Sequence, residues 1–411
     1  MPPPPSTDRV RLALFTSALT GGGVQRSLRN LAVALTQAGY QVDLLVCHCD
    51  DAQAAALADA GVQVITLARS APLVGRALAL RADPAGLGPL APTVLLPLKT
   101  WSKVRYIAAL RDYLSSARPT GLLSAMTQCN LVALWARALA GIDCRVVVSE
   151  RNMLSSFVTR HSGKSRWRHL PALVARSYPR ADAIVGVSQA VADDLAECSG
   201  LPRAIITTAP NPVVDDALRR AAGSRSDHPW FRAGEPPVIL GVGRLLEQKD
   251  PETLLRAFAQ LRRHRPARLM LIGEGPLRAG LAALAEELGV TDDVALPGWD
   301  DNPFSAMAAA RVFVLPSKWE GLPGVLIQAL ACGCPPVATD CPGGSAEILA
   351  NGDYGQLVPI GDIDAMAGAI EATLDLPPDS ARLMARAEDY SAERSAARYA
   401  QLLTGARPPA A

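Results

Sequence analysis

The chain has 411 residues, of which 49% are hydrophobic and 19% are charged, and its formal net charge is only +2. This length exceeds that of one compact core, so we expect two globular domains, and the composition excludes a disordered or fibrous protein. The small net charge argues against a dedicated nucleic-acid-binding protein, which usually carries a broad basic excess.

The sequence shows no pattern for export or for membrane insertion. Its first residues, MPPPPSTDRV, lack the apolar core of a signal peptide, and no window has about 18 uninterrupted apolar residues. We therefore expect a cytoplasmic protein. Cys332, Cys334 and Cys341 lie close together, but no histidine or fourth thiol is near them, so we predict small buried residues and no metal site.

Short apolar runs alternate with longer segments of helical period along most of the chain. This alternation predicts parallel sheets with crossover helices, twice over. The strands predicted in the first half are 9–17, 41–47, 62–67, 121–125, 145–149, 183–187 and 204–208. Those predicted in the second half are 238–242, 268–272, 293–296, 311–315, 336–339 and 356–358. Helices are expected over 24–38, 189–197 and 391–403, among others.

Prolines and glycines accumulate between the two series of strands, at residues 211–237, which is typical of a linker. The predicted fold class is therefore α/β, with two doubly wound, Rossmann-like domains facing each other across a cleft. The predicted segments are an N-terminal domain, a linker, a C-terminal domain and a final helix that packs back toward the N-terminal domain. They span residues 1–212, 213–237, 238–388 and 389–411.

Two segments of the first half are basic. Residues 69–118 contain eight Lys or Arg against two Asp, and residues 151–180 contain seven Lys or Arg and no acid. A solvated protein face accounts for this composition. A docking surface for an anionic membrane, formed by amphipathic helices such as 99–114, accounts for it equally well. The sequence leaves both interpretations open.

A run of glycines follows the first predicted strand. Gly21, Gly22 and Gly23 come directly before a predicted helix, and such glycines let the backbone approach a ligand and direct N–H groups at it. The spacing is not that of a dinucleotide-binding motif, and Asp43 lies inside the second strand rather than at its end. A tight turn without a ligand is the alternative interpretation.

The second half of the chain also begins with a predicted strand followed by glycine, and here basic residues come after the glycine. Strand 238–242 leads to Gly243 and Arg244, and Lys249 follows before the next helix. Two cations there suit a diphosphate, because arginine binds it in a fork and lysine adds a mobile charge. The turns at Gly273 and Glu274 and at Gly298 and Trp299 end the next two strands, where they would line a pocket for a base or ribose. Trp299 suits packing equally well.

The stretch PSKWEGLPGVLIQALACG, residues 316–333, places Glu320 between a strand and an apolar helix. If that helix begins near Pro323, the amides of Gly324 and Val325 lie at its positive end, where a phosphate is stabilised. Glu320 would then accept hydrogen bonds from hydroxyls of the neutral part of the ligand.

Taken together, these segments resemble the retaining glycosyltransferases of family 4, which have the GT-B architecture. Their order matches from about residue 9 to residue 403, and SERN and EGLPGVLI are similar to members that build bacterial polysaccharides and lipid-linked oligosaccharides. The segments that carry the resemblance are GGGVQRSLRNLA, VVVSERN, GVSQAVADDL, GVGRLLEQKDPETLLRAF, LIGEGPLRAGLAALAEELGV and SKWEGLPGVLIQALACGCPPVATD.

The resemblance implies a role for individual residues. Arg244 and Lys249 match the pair that holds the donor diphosphate, and Glu320 matches a glutamate that contacts the donor sugar. Gly22 and Gly23 match a loop that closes over the reacting centre. The other donor-binding residues that it implies are Gly243, Gly273, Glu274, Gly298, Gly321, Leu322, Gly324, Val325 and Gln328. It implies no cofactor and no metal ion, since the nucleotide sugar is a substrate.

Two positions depart from the family pattern. A second glutamate, which binds the ribose hydroxyls, falls on Gln328, whose amide can still accept from one hydroxyl and donate to another. Many relatives have a histidine in the loop after the fifth strand, where this chain has Glu150, Arg151 and Asn152. We assign these three residues to the acceptor side, with Arg151 supplying positive charge and Glu150 orienting an acceptor hydroxyl.

The resulting prediction is an enzyme that moves a hexose or N-acetylhexosamine from a UDP sugar to a hydroxyl of a saccharide or polyprenyl-linked acceptor. The resemblance implies that the anomeric configuration is retained. A nucleotide-sugar epimerase or hydrolase is one alternative, which would consume the donor without an acceptor. A non-catalytic nucleotide-sugar binding protein is another, for which Gln328 is the sequence hint.

Overall fold

The computed structural model describes residues 9–19, 22–97, 101–224, 226–377 and 379–405. By the contacts between its residues, the chain divides into two compact units. The first unit comprises Met1–Pro212 and Ala392–Ala411, and the second comprises Val213–Ser391. Each unit is built around one parallel sheet.

The first unit has a seven-stranded sheet in the order β3-β2-β1-β4-β5-β6-β7. Successive side chains of a strand point to opposite faces, so Phe15 lies in the core on one side of the sheet and Leu14 in the core on the other. The strands are β1 (Arg11–Ala18), β2 (Gln41–His48), β3 (Gln63–Thr66), β4 (Gly121–Ala125), β5 (Arg145–Glu150), β6 (Ala183–Gly186) and β7 (Ile206–Thr208).

Helices connect these strands on both faces of the sheet. They are α1 (Gly23–Gln37), α2 (Asp51–Asp59), α3 (Pro72–Ala82), α4 (Leu87–Leu90), α5 (Ile107–Ala117), α6 (Thr127–Ala140), α7 (Leu154–Arg160), α8 (Leu170–Ser177) and α9 (Gln189–Ser199). The burial of α6 is the most complete, because it packs on β4, β5 and α5 at the centre of the unit.

The second unit has a six-stranded parallel sheet in the order β10-β9-β8-β11-β12-β13. Its strands are β8 (Val238–Val242), β9 (Arg268–Ile272), β10 (Val294–Gly298), β11 (Val312–Leu315), β12 (Pro336–Thr339) and β13 (Gln356–Val358). Its helices are α10 (Asp216–Ala222), α11 (Pro251–Arg262), α12 (Arg278–Glu287), α13 (Pro303–Ala309), α14 (Gly324–Ala331), α15 (Ser345–Ile348), α16 (Ile363–Asp375) and α17 (Ser380–Ala387).

The strand prediction is confirmed in both units, since every predicted strand is present and its ends lie within two residues of the predicted ones. In each sheet the strand order reverses once, between β1 and β4 and between β8 and β11. In open parallel sheets, ligands bind beyond the carboxyl ends of the strands at such a reversal. The fold therefore marks one candidate ligand edge in each unit.

The segment 213–237 differs from the predicted linker. It belongs to the second unit and contains α10, whose first turn is capped by Asp215 through a hydrogen bond from the Leu218 amide of 2.7 Å. The side chain of Leu218 is buried, and α10 packs against α13. The prolines and glycines of this segment lie around a short capped helix, which composition alone did not reveal.

The last helix, α18 (Ala392–Thr404), belongs to the first unit. Its buried face joins the core that α1 covers, and the Tyr399 hydroxyl donates a hydrogen bond of 3.1 Å to the Ala209 carbonyl. Residues 389–391, which we predicted to belong with this helix, are part of the second unit, where the Val213 amide donates to the Tyr390 carbonyl. Within the described ranges, the structure contains no helix of the length and apolarity needed to span a bilayer.

Candidate active site

The loop after β8 carries the two predicted cations. Gly243 has φ 156° and donates its N–H to the Ile272 carbonyl over 2.9 Å, which keeps the start of this loop beside β9. The Arg244 side chain is exposed, and it forms no ion pair with any other described residue. A small pocket opens here, lined by Gly243, Arg244 and Lys249 together with apolar residues of the strands. An exposed arginine at the mouth of a pocket is available to an anionic ligand.

Lys249 and Glu320 form an ion pair in the second unit. The Lys249 ammonium lies 2.5 Å from Oε1 of Glu320, and the Ser317 hydroxyl donates to the same oxygen over 2.7 Å. The carboxylate side chain is 8% exposed and the lysine side chain 23% exposed. Both side chains thus lie where water reaches them only in part, and this strengthens their electrostatic effect on a bound ligand.

Backbone hydrogen bonds hold this pair in place. The Lys318 amide donates to the Gln248 carbonyl over 2.8 Å, and the Gln248 side chain donates to the Trp319 carbonyl over 2.9 Å. On the other side, the Glu320 amide donates to the Pro342 carbonyl over 2.9 Å. The glutamate loop is thus fastened to the short turn Glu247–Lys249, which presents the lysine.

Helix α14 begins next to this pair. Pro323 precedes it without a side-chain cap, and the Gly324 and Val325 amides have no acceptor within the helix. Both residues are half-buried, so these amides lie at the open, positive end of the helix. Gln328 lies one turn further along the same face. Gly321 and Leu322 are buried in the preceding loop, where the Gly321 carbonyl accepts from the Gly344 amide over 2.8 Å.

The turns at Gly273 and Gly298 contain glycine for different structural reasons. Gly273 has φ 141°, and a Cβ atom there would lie 2.0 Å from the Gly243 carbonyl oxygen, so only glycine fits. Glu274 is exposed and pairs with Arg278 at 3.3 Å. Gly298 has φ 91° and accepts from the Gly273 amide over 2.7 Å. Trp299 is 68% exposed, which excludes the core-packing interpretation of this side chain.

The glycine loop of the first unit is open to solvent. Gly22 and Gly23 are exposed, their φ values need no glycine, and a Cβ atom on either would meet nothing within 4 Å. Gly21 lies outside the described residues. The packing of this unit therefore gives no reason for glycine at these two positions.

Glu150 lies in the core, in contrast to the predicted contact with an acceptor. Its Oε1 accepts hydrogen bonds from the hydroxyl of Tyr178 and, over 3.3 Å, from the Asn130 amide, and its Oε2 accepts from the Thr127 hydroxyl over 2.9 Å. Burial raises the pKa of Glu150 from 4.5 to about 7, although these donors counteract the shift. Strand β5 continues through Glu150, so the alternation that buries Val148 also turns Glu150 into the core.

Arg151, to which we assigned a positive charge on the acceptor side, is also buried. Its guanidinium donates to the Asn211 side chain and, over 3.3 Å, to the Ser27 hydroxyl, and it lies 5.6 Å from the centre of the Tyr399 ring. Nε and Nη2 have no hydrogen-bond partner among the described residues. Asn152, the third residue of the group, is exposed and remains a candidate for acceptor contact.

Several residues of these networks were missed by the sequence analysis. Ser317 has no motif of its own, although it donates to the carboxylate of Glu320 three residues further on. Thr127, Asn130 and Tyr178 lie 20 to 28 residues from Glu150 in the chain. No local signal identifies them, because only the pairing of β4, β5 and β6 brings them together.

Comparison with known proteins gives this geometry a family. Two family models match in chain order, Glycosyltransferase Family 4 over residues 21–217 and glycosyl transferases group 1 over residues 225–390. A GDP-mannose-dependent alpha-(1-6)-phosphatidylinositol monomannoside mannosyltransferase of Mycolicibacterium smegmatis is 30% identical over 270 residues, which cover 60% of this chain and 69% of that protein. The chain belongs to glycosyltransferase family 4.

A second relative of this chain comes from Campylobacter jejuni. It is named N-acetylgalactosamine-N,N'-diacetylbacillosaminyl-diphospho-undecaprenol 4-alpha-N-acetylgalactosaminyltransferase and is 30% identical over 246 residues. The match covers 60% of this chain and 64% of that protein, slightly less than two thirds of its length. Other curated relatives are matched over 28% and 50% of their lengths.

Solved structures show the same fold. HepE of Anabaena, in complex with UDP-glucose, superposes with a TM-score of 0.74 over 97% of this chain and 100% of that one, at 16% identity. This likeness establishes the GT-B fold that the sequence predicted.

Proposed function

We propose that this protein is a retaining glycosyltransferase that moves a hexose or N-acetylhexosamine from a nucleoside diphosphate sugar to a hydroxyl of a saccharide or lipid-linked acceptor. The observation that carries the proposal is the group formed by Arg244, Lys249 and Glu320 at the carboxyl end of the second sheet. Membership of family 4 supports the reaction class, and the two bacterial relatives are named for sugar transfer to a diphospho-undecaprenol-linked saccharide and to a phosphatidylinositol mannoside.

In this proposal the second unit binds the donor. Arg244 and Lys249 hold the diphosphate and stabilise the negative charge that develops on the departing nucleotide, as fixed cations do in many transferases. The amides of Gly324 and Val325 add the positive end of α14. Glu320, held by Ser317, accepts hydrogen bonds from hydroxyls of the sugar, and the Gln328 amide bonds the ribose. We propose that these groups supply the charge without a metal ion, so that a chelator leaves the rate unchanged.

We propose UDP as the nucleotide of the donor. The solved complexes of HepE with UDP and with UDP-glucose make UDP-sugars the first donors to test, and the GDP-mannose-dependent relative makes GDP-mannose the second. A screen of isotope-labelled UDP and GDP sugars against lipid-linked and free saccharides distinguishes the two. Consumption of the donor at the same rate with and without an acceptor would identify an epimerase or hydrolase instead.

The donor site predicts the effect of removing either cation. Arg244→Ala and Lys249→Ala should each lower the turnover number by a factor of about 10² to 10³, because one preorganised electrostatic stabiliser is worth about 3 kcal/mol. Steady-state rates with the donor found in the screen provide the measurement. Arg263→Ala is the matched control, since Arg263 is exposed on the second unit and away from the site, and it should leave the rate unchanged. Near-normal turnover in both site variants would exclude this assignment.

We further propose that the first unit docks on an anionic bilayer. The residues that form this docking surface differ from the predicted ones. The described part of the predicted helix 99–114 packs its apolar face into the core, where Ile107, Leu110 and Leu114 are fully buried. Lys99 lies outside the described residues. In contrast, the segment from α3 to residue 97 exposes Leu73 and Leu96 by 74% each. Leu87, between them, is 53% exposed.

Basic side chains accompany these leucines. Arg81 is exposed on α3, and Lys164 and Arg168 are exposed in the second basic segment. The two segments are neighbours, because Ala91–Leu95 packs against the turn Ser165–His169 and α4 packs against α8. Apolar side chains that enter the headgroup region and arginines or lysines that attract anionic lipids are the two requirements of such a surface.

The docking proposal predicts salt-sensitive binding to vesicles of phosphatidylcholine with 30% phosphatidylglycerol. Co-sedimentation of the purified protein should be strong at low salt, weak at about 0.5 M salt and weak with phosphatidylcholine alone. The double variant Leu73→Ser and Leu96→Ser should lower binding about tenfold or more, because each buried leucine contributes about 1.5 kcal/mol or more. Leu376→Ser, at an exposed leucine of the second unit, is the control. Equal binding to both kinds of vesicle would contradict the proposal.

A further inference from the structure

The turn between β4 and α6 contains a strained residue. Met126 has φ 81° and ψ 136°, a backbone conformation that residues other than glycine rarely adopt. Such strain persists only where the surrounding structure fixes the backbone, and strained residues cluster at active sites, ligand clamps and switch regions. Glycine would adopt this conformation at no steric cost. The backbone therefore does not explain why residue 126 is methionine, and we infer that its side chain has a role.

Hydrogen bonds fix this turn on both sides of the strained residue. The Met126 amide donates to the Ser149 carbonyl over 3.0 Å, and the Met126 carbonyl accepts from the Asn130 amide over 2.9 Å. The Asn130 side chain donates to the Ser149 carbonyl over 3.1 Å, and the Thr127 hydroxyl donates to Glu150 over 2.9 Å. The buried network of Glu150 therefore ties the beginning of α6 to β5, and the backbone at residue 126 has no room to relax.

The turn lies at the candidate ligand edge of the first unit. It follows the carboxyl end of β4, next to β1, where the strand order reverses. The Met126 side chain is 36% exposed, and the amide nitrogen of the exposed Asn152 side chain lies 3.9 Å from its sulfur. An adaptable apolar group and a hydrogen-bonding amide are thus presented side by side at this edge.

We propose that Met126 and Asn152 bind the saccharide part of the acceptor. The thioether packs against the C–H face of a sugar ring, and the Asn152 amide bonds a hydroxyl of the same ring. In this assignment Glu150 is a positioning residue, because it holds the turn and does not touch the sugar. The inference rests on the proposed function, which requires an acceptor, and it assigns the residues that select that acceptor.

The first test compares stability with acceptor affinity. In Met126→Gly the backbone strain is relieved, so the midpoint of thermal unfolding should rise. The KM for the acceptor should rise about tenfold, because the side chain that contacts the sugar is lost, and the KM for the donor should stay the same. The acceptor probe is polyprenyl-diphosphate-linked N-acetylgalactosamine, with the UDP or GDP sugar that the wild-type protein transfers. Met126→Leu, which keeps an apolar side chain, should lie closer to wild type in acceptor KM than Met126→Gly.

Arg118→Gly is the matched control for the relief of strain. Arg118 also has a positive φ, 43°, but it is exposed at the end of α5, away from this turn. This variant should gain stability without any change in either KM. An unchanged acceptor KM in Met126→Gly, with its stability raised as in Arg118→Gly, would overturn the proposal.

The second test does not depend on turnover. Met126 and Met384 are both exposed, by 36% and 49%, so dilute peroxide should oxidise both in the free protein. The lipid-linked sugar should slow the oxidation of Met126 at least threefold and leave Met384 unchanged. Polyprenyl diphosphate without the sugar should protect neither methionine. Equal protection of Met126 by the sugarless lipid, or no protection by the sugar-bearing one, would overturn the assignment to a saccharide.

The two tests also separate this inference from the proposed function. If the wild-type protein transfers no sugar from any donor to any acceptor, the proposed function fails, and protection of Met126 by the lipid-linked sugar would still support a saccharide site. If the wild-type protein transfers sugar but Met126 is unprotected and its glycine variant has normal acceptor KM, only the inference fails.

Discussion

At the scale of single residues, Glu150 shows how strongly burial in the core changes the pKa of one carboxyl group. Its carboxyl is fully surrounded by protein and receives hydrogen bonds from Tyr178, Thr127 and Asn130. Burial is the largest cause and, with a smaller contribution from the Asp194 carboxylate, it raises the pKa of Glu150 to about 7. The group therefore changes its charge close to neutral pH, inside the network that holds the β4–α6 turn.

This shift predicts a pH-dependent stability. Glu150 releases its proton near pH 4.5 in the unfolded chain and near pH 7 in the folded one. Between these values the unfolded chain binds fewer protons, so the folded state loses stability as the pH rises, by about 3 kcal/mol in total at 1.36 kcal/mol per pH unit. In Glu150→Gln this part of the decrease should be absent, because the amide does not titrate.

Urea unfolding at pH 5 and at pH 7 measures most of this difference, about 2 kcal/mol by the same linkage relation. Glu286→Gln, at an exposed glutamate of the second unit, is the control and should follow the wild-type pH dependence. If Glu150→Gln loses as much stability as the wild-type protein over this interval, the carboxyl is not the titrating group.

At the scale of elements, α18 shows that the first unit is completed by the end of the chain. One face of this helix, including Tyr399 and Leu403, is buried in the core that α1 and β1 share. The contact with β4 is close, since a Cβ atom on Gly121 would lie 2.4 Å from the Leu403 carbonyl oxygen. The opposite face carries exposed side chains such as Arg398. The helix is therefore part of the core of this unit and not an appended tail.

The burial of α18 predicts the cost of shortening its side chains. Leu403→Ala should lower the free energy of unfolding of the first unit by about 2 to 5 kcal/mol, because it removes a fully buried side chain and leaves a cavity. Arg398→Ala, on the exposed face of the same helix, should change it by less than about 0.5 kcal/mol. Chemical denaturation of the two variants provides the comparison, and equal stabilities would show that α18 does not contribute to the core.

At the scale of the whole molecule, the chain passes between the two units after Pro212 and again after Ser391. The sequence indicated the first crossing through its prolines and glycines, but it placed the capped helix α10 in a linker. It indicated the second crossing only approximately, because a helical pattern does not show which sheet the helix covers. Contacts such as that of the Tyr399 hydroxyl with the Ala209 carbonyl make this assignment.

The sequence by itself determined the two sheets, most strand ends and the family. Strands of a parallel sheet are buried on both faces, so they appear as continuous apolar runs, and the glycines and charges that follow them are local signals. Arg244, Lys249 and Glu320 were found in this way, although their roles remain predictions.

Only the tertiary structure decided which groups touch each other. Lys249 and Glu320 are 71 residues apart in the chain, and their ion pair depends on the docking of one loop on another. We predicted that β5 ends at residue 149, but it continues through Glu150. Side chains alternate between the two faces of a strand, so this additional strand residue points its side chain into the core. The strain at Met126 had no sequence signal, because it results from hydrogen bonds that β5 and α6 impose on the turn together. Contacts between distant segments are set by packing, and packing is a property of the whole fold rather than of any local pattern.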